Sequence, residues 1–168
     1  IPPLHDLKYR DQKIVALHRF AGHELLAVEM MAFTLLAFPD APKTFRKGLA
    51  HTLQEEQGHV QLYSKRIEDL GGYFGSLPLF RHFWVQTKYM HTPLDYISTM
   101  PLTLEMANLD FAPVYGKAFL QAGDEQSADL MATILNDEIA HVRFGVQWFK
   151  RLMPKELNEW ETWRQTIQ

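Results

Sequence analysis

Cysteine is absent from all 168 residues. Its absence excludes disulfides, zinc–thiolate sites, iron–sulfur clusters and cysteine nucleophiles. It also fits a reducing, cytoplasmic compartment. An excess of positive charge is missing too: 17 lysines and arginines stand against 20 acidic residues, for a net charge of −3 and a pI near 6.2. That balance gives no expectation of a nucleic-acid or anionic-membrane surface. No apolar run approaches the roughly 18–20 residues that span a bilayer, so no membrane segment is expected. Convincing strand alternation is lacking throughout, and no secretory signal pattern stands at the start. A first residue of Ile1 points to a processed chain, a fragment, or a start outside the numbering.

What remains is an ordinary globular composition, 46% apolar and 22% charged, long enough for one domain with a real core. The expected domain is 1–168, with a helical core over about 11–153 and a short helix over about 155–167. The first long helix is expected from Asp11 to Phe38, with the stripe Ile14, Leu17, Ala21, Glu24, Val28, Met31, Leu35, Phe38. Phe38-Pro-Asp stops it, and Asp40 is the expected N-cap of a second helix that ends at Gly71-Gly72. The second stripe is Phe45, Leu49, Thr52, Glu56, His59, Tyr63, Ile67, Leu70. A long Gly/Pro-punctuated crossover follows, with a short helix within the aromatic segment Phe80–Tyr89. Thr92-Pro93 opens a third helix. Pro101 should kink it, and Pro113 should break it or start a separate piece. Gly123-Asp124 caps a fourth helix that runs from about Glu125 to Met153. Its stripe is Met131, Ile134, Glu138, His141, Gly145, Trp148, Leu152. The fold class is all-α.

Each of the second and fourth stripes carries a Glu-x-x-His: Glu56-Gln-Gly-His59 and Glu138-Ile-Ala-His141. An i, i+3 pair lies on one helix face, so carboxylate and imidazole can grip one ion. The two tetrapeptides sit in a longer echo, Leu53–Val60 against Leu135–Val142, which implies two equivalent helices facing a shared interior. A paired-metal site needs two more carboxylates from the partner helices. His23–Met30 aligns with Leu104–Phe111, matching Glu24 to Glu105 and Glu29 to Asp110. Depth along the helices favours Glu24, which also lies on the core stripe, so the ligand set is read as Glu24, Glu56, His59, Glu105, Glu138 and His141. Glu29 and Asp110 stay in reserve as alternate ligands or outer partners. Glu55 and Asp137 read as solvent-facing neighbours, and His18 and His51 as surface or helix-pair residues. Trp84, Phe33, Trp148 and Phe149 read as core. Tyr63, one turn past His59, is a candidate redox or substrate-gating residue as well as a core residue. Its echo position is Gly145, where a substrate pocket has room to open. Four carboxylates and two imidazoles suit two metal ions, iron foremost, with manganese/iron or manganese pairs compatible.

These residues resemble the ferritin-like superfamily of carboxylate-bridged di-iron proteins, whose pattern is Glu, Glu-x-x-His, Glu, Glu-x-x-His on four successive helices. More closely, the chain is similar to a bacterial ferritin-like family defined only as a domain of unknown function. The matching stretches are His23–Glu29, Glu55–His59, Pro101–Glu105, Ala122–Asp124 and Ile134–Val142. The resemblance implies a four-helix bundle of two pseudo-repeated helix pairs, with a long crossover and extra short helices. It also implies an oxidoreductase that activates O₂ to oxidise a small organic substrate, recharged by an electron donor. A ferroxidase, or a protein that scavenges H₂O₂ or handles iron, is the second reading. A scaffold with a structural metal is the third. No nucleic-acid or membrane partner is expected, and the first or C-terminal helix is the expected face for a homodimer.

Overall fold

A computed structural model of the chain describes residues 1–167. It is all-helical, with no strand among the described residues. A 3₁₀ turn over Leu4–Lys8 leads into α1 (Arg10–Ala37), which is followed by α2 (Lys43–Asp69). The crossover then carries a second 3₁₀ turn, Trp84–Tyr89. After it come α3 (Pro93–Thr99), a π-helical turn (Met100–Glu105), α4 (Met106–Gln121), α5 (Glu125–Leu152) and α6 (Glu159–Thr166). α1 packs along α2, α4 along α5, and α2 meets α5 to join the two pairs.

The core is divided in two. One apolar cluster gathers Leu17, Phe20, Tyr63, Ile67, Phe119 and Ile134. The other gathers Met30, Phe45, Leu49, Ile97, Met100 and Trp148. α1, α2 and α5 feed both clusters and α4 only the first; between the clusters α1, α2, the π turn and α5 each turn polar residues inward. The stripes expected on α2 and α5 are buried from Phe45 to Ile67 and from Met131 to Trp148. Trp84 departs from its expected place in the core: it is exposed and meets the ring of Phe33 edge-on.

Several boundaries differ from expectation for local reasons. Pro42, not Asp40, sits at the start of α2, and no side chain caps it. Thr92 caps α3 in a reciprocal box with Asp95, as two exchanged hydrogen bonds require. Pro101 does more than kink: the turn after it widens to π, and Thr103 Oγ1 donates to Ser98 O at 2.7 Å. Pro113 does not break the chain, and α4 runs through it. Pro113 is exposed, so the carbonyl deprived of its partner is free to meet water. Asp124 caps α5 by accepting from Ser127 N. It also joins Arg66 at 2.8 Å and Lys13 at 3.3 Å, tying α1, α2 and α5 at one end. Burial works against its charge, but the Ser127 bonds and the two cations hold its carboxyl below the usual range.

α1 is apolar on more than one side. An 18-residue window of it has a mean hydropathy of 1.4, so by length and composition it could cross a membrane, contrary to the sequence expectation. Half of that window is buried inside the fold, which supplies a core-packing reason for its composition.

The crossover is strapped to α1. His18 is buried, not superficial, and its Nε2 accepts from Gly75 N at 2.9 Å and Leu77 N at 3.3 Å. Arg19 donates to Pro78 O at 2.7 Å and lies over the Phe80 ring.

Gly145 opens no pocket. A Cβ placed there would stand 2.4 Å from Pro101 Cβ, because α5 and the π turn touch at this point. Gly145→Ala should therefore lower stability by about 1–3 kcal/mol, the cost of forcing volume into a packed contact. Chemical denaturation measures it, and wild-type stability would mean that Pro101 is free to yield.

Candidate metal centre

Six side chains meet at the level between the two apolar clusters. Glu24 comes from α1, Glu56 and His59 from α2, Glu105 from the last residue of the π turn, and Glu138 and His141 from α5. None is more than 4% exposed. Ligand atoms of Glu24, Glu56, His59 and Glu138 lie within 4.8 Å of one another, as do those of Glu105, Glu138 and His141. Glu138 belongs to both groups. Glu56 also reaches the second, with Oε1 2.8 Å from His141 Nδ1. These distances allow two adjacent ion positions that share Glu56 and Glu138.

Without ions, such a cluster is electrostatically awkward. Desolvation and neighbouring carboxylates push Glu24 and Glu105 well above the usual range, and Glu138 up to about 8. Glu56 is the exception. Burial would raise it, but the close imidazoles of His141 and His59, and the Glu24 carboxyl beside it, hold it well below the usual carboxylate range. The imidazoles answer it: burial would lower His59, yet bonds to Glu24 and Glu56 raise it to about 11, and His141 is raised for a similar reason. In the metal-free cluster the surroundings thus favour the carboxylate form at Glu56, the imidazolium form at His59 and His141, and the acid form at Glu24, Glu105 and Glu138. Polar atoms are still left over. Both Glu105 oxygens and Glu138 Oε2 have no hydrogen-bond partner, and the 2.8 Å approach of His141 Nδ1 to Glu56 Oε1 is poorly directed for one. Buried oxygens without partners are rare and costly. An oxygen-rich donor set with two imidazoles fits a pair of ions such as iron or manganese.

The outer partners cross over. His59 Nε2 lies 3.1 Å from Asp137 Oδ2 on α5, and His141 Nε2 lies 3.2 Å from Glu55 Oε2 on α2. Each helix therefore braces the imidazole of the other, which leaves both Nδ1 atoms facing the carboxylates. Glu55 and Asp137 are half-exposed, but they are not bystanders as the sequence suggested. The signal was present: an acid stands directly before each Glu-x-x-His. Asn108, one turn beyond Glu105, donates to Glu138 Oε1 at 3.2 Å and was not singled out from sequence. Tyr96 was also missed; its hydroxyl is buried and unpartnered, and desolvation and then Glu105 raise its pKa.

Other candidates fall elsewhere. Glu29 and Asp110 are exposed and outside both groups. Tyr63 is fully buried, and its hydroxyl donates to Met131 Sδ at 3.5 Å. Burial, and then the nearby carboxylates, raise its pKa further. His51 is exposed beside Glu55. A partly open chamber of about 180 Å³ reaches Glu24, Glu105 and Glu138, walled by Phe20, Phe83 and Leu104 among others.

A family profile described as "Protein of unknown function (DUF455)" matches residues 1–168. The chain belongs to the DUF455 family. An uncharacterized protein of Haemophilus influenzae is 28% identical over 112 residues. The matched stretch is 66% of this DUF455 chain but only 39% of the relative, so the chain spans well under half of that protein's length. No solved structure matches the chain.

The geometry separates two kinds of substitution in this DUF455 protein. Glu56→Ala or Glu138→Ala should lower metal stoichiometry outright. Glu55→Ala or Asp137→Ala should keep it and weaken affinity by about 10–100-fold, as loss of a brace on a ligating imidazole does. Equal loss of stoichiometry in both pairs would contradict the crossed arrangement.

A pH dependence follows as well. The metal-free cluster holds protons more tightly than free side chains do at His59, His141, Glu24, Glu105 and Glu138, all with raised pKa values. Metal must displace them, so affinity should climb as pH rises through neutrality, and loading should release several protons. Calorimetry in buffers of different ionisation heat counts them, and no release would contradict this charge distribution.

Proposed function

We propose that this DUF455 protein is a dimetal oxidoreductase of the ferritin-like kind, a four-helix bundle whose two helix pairs hold iron, or manganese and iron, and use O₂ to oxidise a small organic substrate. The observation that carries the proposal is the joining of a buried six-donor cluster to an apolar chamber. Glu24, Glu56 and His59 would hold one ion, and Glu105, Glu138 and His141 the other, with Glu56 and Glu138 able to serve both. Bound there, two such ions would supply redox chemistry towards O₂, with an external donor returning the electrons consumed.

The remaining work falls to the chain. Asp137 and Glu55 hold the two imidazoles in orientation across the α2–α5 interface. Asn108 restrains Glu138 on the chamber side. Phe20, Ala27, Phe83, Leu104 and Phe111 line the chamber and keep bulk water from the carboxylates, which strengthens every charge interaction at its floor. Glu24, Glu105 and Glu138 reach the chamber, so whatever occupies it lies directly against the would-be metal ligands. A chamber walled mostly by hydrocarbon favours an organic substrate over traffic of iron ions, which an acidic channel would serve better.

The test is anaerobic loading with Fe(II) followed by exposure to oxygen, with oxygen uptake and optical absorption recorded together. The proposal predicts oxygen consumption in proportion to bound iron and a transient charge-transfer absorption. Iron bound without any reaction with oxygen would leave a structural metal and overturn the enzyme reading.

A further inference from the structure

The chamber beside the carboxylates has a second compartment outside it. A pocket of about 410 Å³ is lined by Gln86, Tyr89, Thr99, Thr103 and Thr166, and shares His82, Phe83 and Leu104 with the inner chamber. Those three side chains are the partition. His82 and Phe83 hang from the crossover, which His18 and Arg19 strap to α1. They meet His23 from above, with ring centroids 5.3 and 5.8 Å away.

The two compartments differ in what they can accept. The inner one, at about 180 Å³, is slightly larger than the ~150 Å³ apolar cavity known to take one benzene ring. It has room for a single six-membered ring, or its equal in hydrocarbon, and not for two fused rings. Above its floor of carboxylates its walls are mostly hydrocarbon and ring, with His23, His82, Asn108 and the amino group of Ile1 the polar exceptions. Among the described residues, no lysine, arginine, aspartate or glutamate lines the wall of the outer pocket. The described lining offers chiefly hydroxyls and an amide.

Resting on the oxidoreductase reading above, we infer that the substrate is a single-ring apolar molecule carrying an uncharged hydrogen-bonding group. The ring lies in the inner chamber against Glu24, Glu105 and Glu138. Its polar group passes between Phe83 and Leu104 to the threonine and glutamine side chains outside. His82 and Phe83 are the residues that set the size limit.

Binding tests this without any turnover. 2-Phenylethanol serves as the probe, with 2-(naphthalen-2-yl)ethanol as its oversized partner, titrated against metal-free and iron-loaded protein by calorimetry. The wild type should bind the phenyl alcohol and bind the naphthyl alcohol about tenfold or more weakly. Ala107→Leu, which fills the chamber wall, should weaken the phenyl alcohol by a similar factor while leaving metal stoichiometry intact. Phe83→Ala should narrow the gap between the two alcohols. Intermolecular NOEs from the probe's ring to the Leu104 and Ala107 methyl groups in the wild type locate the ring without any variant. Folded wild type that binds neither alcohol, equal affinity for both, or NOEs to other residues would overturn the inference. Binding of the phenyl alcohol by a protein that takes up no metal would support the chamber assignment and sink the oxidoreductase reading. Metal uptake without alcohol binding would do the reverse.

Discussion

Four carboxylates share one buried level of this fold with only two imidazoles to answer them, and the surrounding structure is arranged around that imbalance. An unpaired ion in such a place costs about several kcal/mol after relaxation. Here the metal-free chain limits the cost by favouring the charged form at one carboxylate of the four, Glu56, which lies between His59 and His141. Stability cannot come from this level. It comes from the two apolar clusters on either side, each drawing on both helix pairs. The polar level is thus clamped from above and below, and its geometry is set by packing that does not depend on what it binds.

That clamping is reinforced at the points where a ligand residue would otherwise drift. The crossed braces from Asp137 and Glu55 fix both imidazoles from the opposing helix, so neither ring can turn without disturbing the α2–α5 contact. On the other side the π turn ends at Glu105, and its Pro101 is pressed against Gly145. A turn that deviates from α geometry at a would-be ligand is costly to maintain and frequent where function requires it. The crossover, held by His18 and Arg19, adds a roof of rings over the chamber. Braces, turn and roof are separate devices, and they act on different ligand residues.

Much of this was legible in the residues. The stripes on α2 and α5 and the echo of Glu56–His59 in Glu138–His141 identified both the helical frame and four of the six clustered side chains. Depth along the helices separated Glu24 from Glu29, and the structure buries the first and exposes the second. What escaped was whatever depends on contact between helices. Glu55 and Asp137 lie one position from the core face on their own helices, and only the opposing ring gives them a role. Pro101 and Pro113 read alike in sequence, yet one widens the helix against Gly145 and the other is absorbed on an exposed face. The place of the chamber was misjudged for the same reason. Gly145 looked like an opening because its own helix leaves space there, and Pro101 from another helix fills it.

The central claim is that the six side chains hold two metal ions. The most direct measurement is anomalous X-ray scattering at the iron edge from crystals of protein loaded with Fe(II) without oxygen. The account predicts two peaks per chain, one among Glu24, Glu56 and His59 and the other among Glu105, Glu138 and His141. A single peak bound through Glu29 or Asp110, or none at this level in well-ordered crystals, would contradict it.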